Sequence, residues 1–306
     1  MTLFEQLAKL TTEAINPTTV GIDVASTRGI LELLNEQDQS VAIAVRAELD
    51  SIAQAVDIIV DKLHQGGRLI YVGAGTSGRL GIVDASEMPP TYGTDPDMVQ
   101  GVIAGGQGAV FRSVEGAEDS REGGRHALDG LDVTANDVIC GISASSRTPF
   151  VLGALEHAIE IGCATIFLST NARSVVEGNA PHVQVLICPE VGPEPITGST
   201  RMKSGTAQKM VLNMLTTAAM VKLGKTYGNV MVDLQLTNQK LEERAKRIIM
   251  TITGTSYDRA SELLVASHGH VKTALVMFAH QCSREDAQNR LERTNGIVRL
   301  AMEHNT

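Results

Sequence analysis

Five short apolar runs, each bounded by glycine or polar turn residues, constrain this chain more than any other feature. They are RLIYVGAG (68–75), VQGVIAGG (99–106), DVICGIS (137–143), ATIFLST (164–170) and HVQVLICP (182–189). None shows the strict apolar–polar alternation of a strand with one wet face, so each reads as a strand covered on both sides. Helical stretches separate several of them, the clearest being TPFVLGALEHAIEIG (148–162). Strands alternating with helices predict an α/β fold, a three-layer α/β/α sandwich around a parallel sheet. Ligands bind such sheets beyond the carboxyl ends of the strands, where the strand order reverses.

The flanking regions are helical. DQSVAIAVRAELDSIAQAVDIIVDKLH predicts one helix over 38–64, with Asp38 as its N-cap. After Pro195 the pattern predicts a long helix from about Thr200 to Lys225, carrying Met210, Leu212, Met214, Leu215 and Met220. A second helix, charged on one side, is expected from about Asn238 to Ile252. Gly254-Thr-Ser-Tyr257 then marks a boundary, and short helices follow. The expected organisation is a main domain over 1–254, with its sheet core within about 55–225, and a small helical domain over 255–306.

Charge and cysteine usage exclude several classes. With 26 basic against 35 acidic side chains and a net charge of −9, the chain lacks the basic footprint of a nucleic-acid binder. Its start, MTLFEQLAKL, is polar where a secretory signal needs an apolar core, and no apolar stretch approaches the ~18 residues that span a bilayer. A cytoplasmic protein is expected. Cys140, Cys163, Cys188 and Cys282 show no CxxC spacing and read as reduced, mostly core thiols. His268-Gly-His270 is the only close histidine pair, and no metal site or cofactor is expected.

Two turns carry more polar chemistry than a turn requires. Gly73-Ala-Gly75-Thr76-Ser77-Gly78 follows the first strand and matches GxGxxG. Any tight strand-to-helix turn favours glycine, and the second strand ends Ile103-Ala-Gly-Gly106 without the acid that a dinucleotide ribose needs. Thr76 and Ser77 at a helix N-terminus suit a phosphate monoester instead. Ser143-Ala-Ser145-Ser146-Arg147-Thr148-Pro149 follows the third strand. Pro149 suits the first turn of a helix, and the hydroxyls of Ser143, Ser145, Ser146 and Thr148 exceed what one N-cap needs. A shared phosphate pocket accounts for both turns better than capping alone.

Three further segments are open by spacing alone. In Asp84-Ala-Ser-Glu87-Met-Pro-Pro90 the double proline is expected to end any helix, and Glu87 could be a surface carboxylate. Glu118, in Val114-Glu-Gly-Ala-Glu118-Asp-Ser-Arg121, could equally lie on a charged helix face. Gly198-Ser-Thr-Arg-Met-Lys203-Ser-Gly-Thr206-Ala-Gln-Lys209 is polar and basic, and either caps the long helix or adds ligand contacts.

Taken together, these residues resemble the sugar isomerase (SIS) fold, a phosphosugar-binding sandwich. YVGAGTSGRLGIVDASEMPPTYG, VEGAEDSREGG, SRTP, TGSTRMKSGTAQKMVLNM and GNVMVDL are similar to blocks of the N-acetylmuramic acid 6-phosphate etherases. The resemblance covers nearly the whole chain, including a C-terminal piece similar to a ubiquitin-associated-like fold. Ser146 departs from it, since the family's usual form is SGRTP.

The resemblance implies cleavage of the ether joining D-lactate to C3 of the sugar, giving N-acetylglucosamine 6-phosphate and D-lactate in cell-wall amino-sugar recycling. In the open-chain aldehyde the C2 proton is acidified by the carbonyl. A base removes it, lactate leaves C3 with help from an acid, and water adds. By resemblance Glu118 is the base, and Glu87 is the acid that later activates water. That acid would need its pKa raised by burial. The hydroxyls of Thr76, Ser77, Ser143, Ser145, Ser146 and Thr148 would hold the phosphate. No metal or nicotinamide is called for. The resemblance also implies a homodimer, and the Met- and Leu-rich helix after Thr200 could offer it an apolar face. The alternatives are an aldose–ketose isomerase or a non-catalytic phosphosugar sensor on the same fold.

Overall fold

Each apolar run forms a strand, and the three longest uninterrupted ones lie in the middle of the sheet. A computed structural model describes residues 10–180, 182–234, 236 and 239–303. Strands β1 (Leu69–Gly73), β2 (Val99–Ile103), β3 (Val138–Ile142), β4 (Ala164–Leu168) and β5 (Val185–Ile187) are all parallel, in the order β2-β1-β3-β4-β5. Every residue of β1, β3 and β4 is buried, as expected of strands with helices on both faces. Leu69 pairs with Val99 on one side and Val138 on the other. The strand order therefore reverses at β1.

The helical region before the sheet differs from the single helix expected over 38–64. Helix α1 (Thr27–Arg46) is followed by α2 (Leu49–His64), and Asp38 lies inside α1. The true N-cap is Ser26, whose hydroxyl accepts the Gly29 N–H at 3.2 Å. The break falls where the Glu48 carboxylate turns away, accepting from the Arg173 guanidinium at 2.7 Å and the Cys188 N–H at 3.0 Å. Helical periodicity runs on across this break, so the pattern alone hides it. In α2, Ile52, Val56, Ile59 and Leu63 form a buried stripe, each stabilising by roughly 1.5–3 kcal/mol.

Helix α3 (Gly75–Ser86) packs on β1 and β2. Helix α4 (Met88–Tyr92) begins two residues later. Pro89 and Pro90 thus open a short helix rather than end one. Their missing N–H groups fall in a first turn, where no intrahelical acceptor exists. Beyond β2 come α5 (Gly108–Phe111), α6 (Arg121–Asp129), α7 (Pro149–Ile161), α8 (Arg173–Asn179) and α9 (Lys203–Lys222). Helices α2 and α7 both cover β3. One apolar cluster joins Ile70, Val72, Ile139 and Phe167 to Leu128, Val151 and Leu155.

The chain divides into two compact units, one formed by residues up to Ser86 with Asp97–Thr216, the other by Glu87–Pro96 with Thr217 onward. The second contains a small hairpin, β6 (Thr226–Tyr227) with β7 (Val230–Met231). Five helices follow: α10 (Gln239–Thr253), α11 (Tyr257–Ala266), α12 (Val271–His280), α13 (Arg284–Arg293) and α14 (Val298–Glu303). Residues 1–9 and Asn238 lie outside the described residues. Its core gathers Leu263, Leu264, Leu275, Val276, Leu291 and Val298. Gly254 follows α10 at φ +70°, and Ser256 caps α11.

Candidate active site

The two hydroxyl-rich turns leave adjacent strands at the point of reversal, because Gly73 at the end of β1 pairs with Ile142 at the end of β3. In the first turn the glycines serve close approach. A Cβ on Gly78 would sit 2.8 Å from the Gly73 carbonyl oxygen and 2.6 Å from Ile103 Cγ1, so α3 can start against the strand only without that carbon. Thr76 is half-buried and Ser77 buried, and the Ser77 hydroxyl donates to Gln208 Oε1 at 2.9 Å.

In the second turn, Ser143 and Thr148 hydroxyls lie 2.8 Å apart, and Ser143 and Ser145 3.4 Å apart. Ser145 Oγ also accepts the Arg147 N–H at 3.3 Å. Thr148 is the N-cap of α7, yet its side chain makes no capping bond, which leaves its hydroxyl to other partners. The turn is held from below by the Ala144 carbonyl, which accepts from Ser169, Thr170 and, at 2.8 Å, Asn171.

Ser146 is placed differently from its neighbours. It is wholly buried at φ +59°, in the left-handed region that glycine enters without strain. Its oxygen accepts from Asn179 Nδ2, at the end of α8, at 2.9 Å. The SGRTP glycine has a backbone reason, and here Asn179 supports the serine that replaces it.

Glu118 sits in the short 3₁₀ turn Ala117–Asp119, which packs against α7. A cavity of about 750 Å³ borders this turn, with Gly105, Ala117, His126 and Phe150 in its wall. Glu87 opens the second unit, directly after α3, and its carbonyl accepts the Thr91 N–H at 3.2 Å. Both glutamates are exposed. The burial expected of Glu87 is not found in the folded chain, because the residue stands between the end of α3 and the start of α4. The sheet thus joins the six hydroxyl residues and Glu118 in one unit, while Glu87 belongs to the other.

Several polar residues were invisible to motif reading. Asp84, three residues before Glu87, is buried and accepts from Tyr71 at 3.0 Å and Lys209 at 3.3 Å. Burial first, and then the Asp84 charge, hold the Tyr71 hydroxyl well above its usual pKa, so it stays a donor. Asn171, Asn179 and Gln208 also stand around the turns. Asp84 and Gln208 lay in segments already singled out, but neither was given a role there, and Asn171 and Asn179 lay in none. Burial pushes the Cys163 thiol up to about 11 and Cys188 to about 12, and raises Cys140 as well, as inert core thiols require. Among the described residues, no group of three or more His, Cys, Asp or Glu is placed to hold a metal. None of their helices is long and apolar enough to cross a membrane.

The family model of the glucokinase regulatory protein N-terminal SIS domain matches residues 51–159. An N-acetylmuramic acid 6-phosphate etherase of Salinibacter ruber is 58% identical over 302 residues, covering 98% of this chain and 96% of the relative. The chain belongs to the N-acetylmuramic acid 6-phosphate etherase family. Another etherase, from Clostridioides difficile, is 51% identical over 300 residues, with 98% of each chain covered. A solved phosphoheptose isomerase from Francisella tularensis is 16% identical, covers 62% of this chain and 98% of its own, and superposes with a TM-score of 0.48. In this etherase-family chain the two hydroxyl turns follow the carboxyl ends of β1 and β3, and the Glu118 turn packs beside Gly105 just past the carboxyl end of β2.

Proposed function

We propose that the chain cleaves the D-lactyl ether of N-acetylmuramic acid 6-phosphate to N-acetylglucosamine 6-phosphate and D-lactate. The observation that carries this is full-length identity with an etherase, 58% over 98% of the chain. The two hydroxyl turns at the strand reversal suit the 6-phosphate, offering hydroxyl and backbone donors at helix starts. Thr76, Ser77, Ser143, Ser145 and Thr148 donate to its oxygens, and Ser146 contributes through the turn that it shapes.

Chemistry then needs one proton removed and one delivered. Glu118 takes the C2 proton of the open-chain sugar. Electrons pass into the carbonyl and return to expel the C3 oxygen, to which Glu87 gives a proton. Glu87, now ionised, takes a proton from water as it adds to C3. The proton held by Glu118 returns to C2, so each carboxylate ends as it began. Each positioned transfer is worth on the order of 10²–10⁴-fold.

The protein acts in the cytoplasm, in recycling of cell-wall amino sugar, and as a homodimer. The apolar residues of α9 first considered for a partner face are largely buried in the chain, Leu212, Leu215 and Met220 among them. Exposed apolar side chains instead include Ile15, Val20, Val24, Leu31 and Ile43, which suit a second copy. The helices between Tyr257 and Glu303 form a small helical domain similar to ubiquitin-associated ones.

Incubation with N-acetylmuramic acid 6-phosphate tests the reading. Stoichiometric D-lactate is expected without added metal or NAD. Turnover of an aldose phosphate with no lactate from the muramic substrate would replace etherase by isomerase, and binding without turnover would make the chain a sensor.

A further inference from the structure

The Ala144 carbonyl, in the second hydroxyl turn, accepts from three side chains just past the end of β4: Ser169 at 3.2 Å, Thr170 at 3.4 Å and Asn171 at 2.8 Å. All three residues are fully buried. A carbonyl oxygen offers two lone pairs, so three donors hold this peptide more firmly than a turn requires. Asn171 makes the shortest of the three bonds, and its amide is fixed at both ends. Nδ2 meets a carbonyl, which can only accept, while Oδ1 meets the Thr11 N–H at 3.1 Å, which can only donate. The Thr11 hydroxyl gives Oδ1 a further bond at 3.0 Å. Thr11 stands in the 3₁₀ turn Thr11–Glu13, between the buried Leu10 and the buried Thr12. One amide therefore joins the hydroxyl turn to a segment 160 residues from Asn171.

The bond from Asn171 also sets a direction. In a trans peptide the Ala144 C=O and the Ser145 N–H point opposite ways, and no described peptide bond is cis. Anchoring the carbonyl on Asn171 turns the Ser145 N–H away from residues 169–171. That N–H makes no hydrogen bond among the described residues. Ser145 is half-buried, and its hydroxyl and that of Thr148 both lie beside Ser143. An open backbone donor among hydroxyls suits an anion.

We propose that Asn171 is a positioning residue for phosphate binding: seated on Thr11, its amide fixes the Ala144 carbonyl so that the Ser145 N–H donates to the substrate phosphate. This rests on the reading that the Ser143–Thr148 turn holds that phosphate. Seating of the Thr11 turn and phosphate affinity are then coupled, and Thr11 acts only through Asn171.

The test uses the full chain, lactate release, and inorganic phosphate as a competing inhibitor. Thr11→Pro removes both donors to Asn171 where the backbone tolerates proline, because residue 11 opens a helical turn and Leu10 before it is already extended at ψ 127°. Asn171→Asp keeps acceptors for Thr11 but, while ionised, has no donor for Ala144. Both are expected to raise KM and the phosphate inhibition constant in parallel by about tenfold, with kcat changed by less than about threefold. Thr11→Ser keeps both donors and should stay within about twofold of the unmodified protein in both constants.

A role confined to packing would lower the melting temperature and leave both constants within about twofold, and that result in folded Thr11→Pro overturns the proposal. A loss in Thr11→Ser as large as in Thr11→Pro overturns it too, since the donors are unchanged. Should Asn171→Asp not fold, Thr11→Pro decides alone, because residue 11 lies outside the sheet. Thr148→Ala separates the two readings. If it weakens phosphate inhibition but neither Thr11→Pro nor Asn171→Asp does, the turn keeps its ligand and Asn171 loses its role. If Thr148→Ala changes neither constant, the phosphate assignment fails and the positioning role falls with it.

Discussion

Holding a side chain at φ +59° costs Ser146 about 1 kcal/mol against glycine, and the hydrogen bond from Asn179 offsets a similar amount. Ser146→Gly should therefore change unfolding free energy by less than about 1 kcal/mol. Ser146→Ala keeps the strain, loses the bond, and should fall by about 1–2 kcal/mol. Denaturant titration of the two variants checks the order, and equal losses would contradict it. The glutamates separate by isotope exchange. Glu118→Gln should stop both lactate release and exchange of the C2 hydrogen with D₂O, whereas Glu87→Gln should stop release but retain some exchange. Reversed results would swap the roles. At this scale the sequence was legible where chemistry clusters locally, as in the Ser143–Thr148 turn. It was silent where a polar residue finds its partner far along the chain. Asp84 meets Lys209 across 125 residues, and no local pattern announces such a pair.

Helices α6 and α7 lie unusually close, and small residues are the reason. A Cβ on Gly124 would sit 1.9 Å from the Phe150 carbonyl oxygen, and one on Gly153 would sit 2.1 Å from that of Arg121. Ion pairs also cross this contact, Arg121 with Glu156 and Arg125 with Glu160, but they are largely exposed and exposed pairs contribute little. Backbone fit therefore sets the spacing. Gly124→Ala should destabilise by about 3 kcal/mol, whereas Arg125→Ala should scarcely move the melting curve. The same packing places the Glu118 turn against α7. Folded Gly124→Ala should also lose kcat, since a displacement of about 1 Å can cost about a hundredfold. The strands were readable because burial on both faces demands unbroken apolar runs, and β1, β3 and β4 show them. The break between α1 and α2 was not, since Glu48 leaves the helix for partners on Arg173 and Cys188.

The sheet as a whole is stapled at its amino end by Asp137. Its carboxylate accepts the Arg68 N–H at 2.9 Å, the Arg68 guanidinium at 2.9 Å, and the Thr134 N–H at 2.9 Å. Burial opposes its charge, but the Arg68 hydrogen bond and these N–H donors together hold the carboxyl below its ordinary 3.8. A lowered folded-state pKa means the stabilisation is full above the unfolded value and is lost as pH falls through the folded one. Loss of stability is therefore expected below about pH 4, and Asp137→Ala, which strands a partly buried Arg68, should cost about 3 kcal/mol at neutral pH. Urea midpoints measured between pH 7 and pH 3 check both, and a variant with an unchanged acid limb would exclude Asp137 as the cause. The Ser77–Gln208 bond has a consequence for synthesis, since it joins residues 131 apart. A ribosome that has just released Thr148 has already made both hydroxyl turns, yet must add the whole of β4, β5 and the start of α9 before Ser77 meets its partner. A fragment ending at residue 159, where the SIS family match stops, would contain the turns and lack the residue to which Ser77 is hydrogen-bonded.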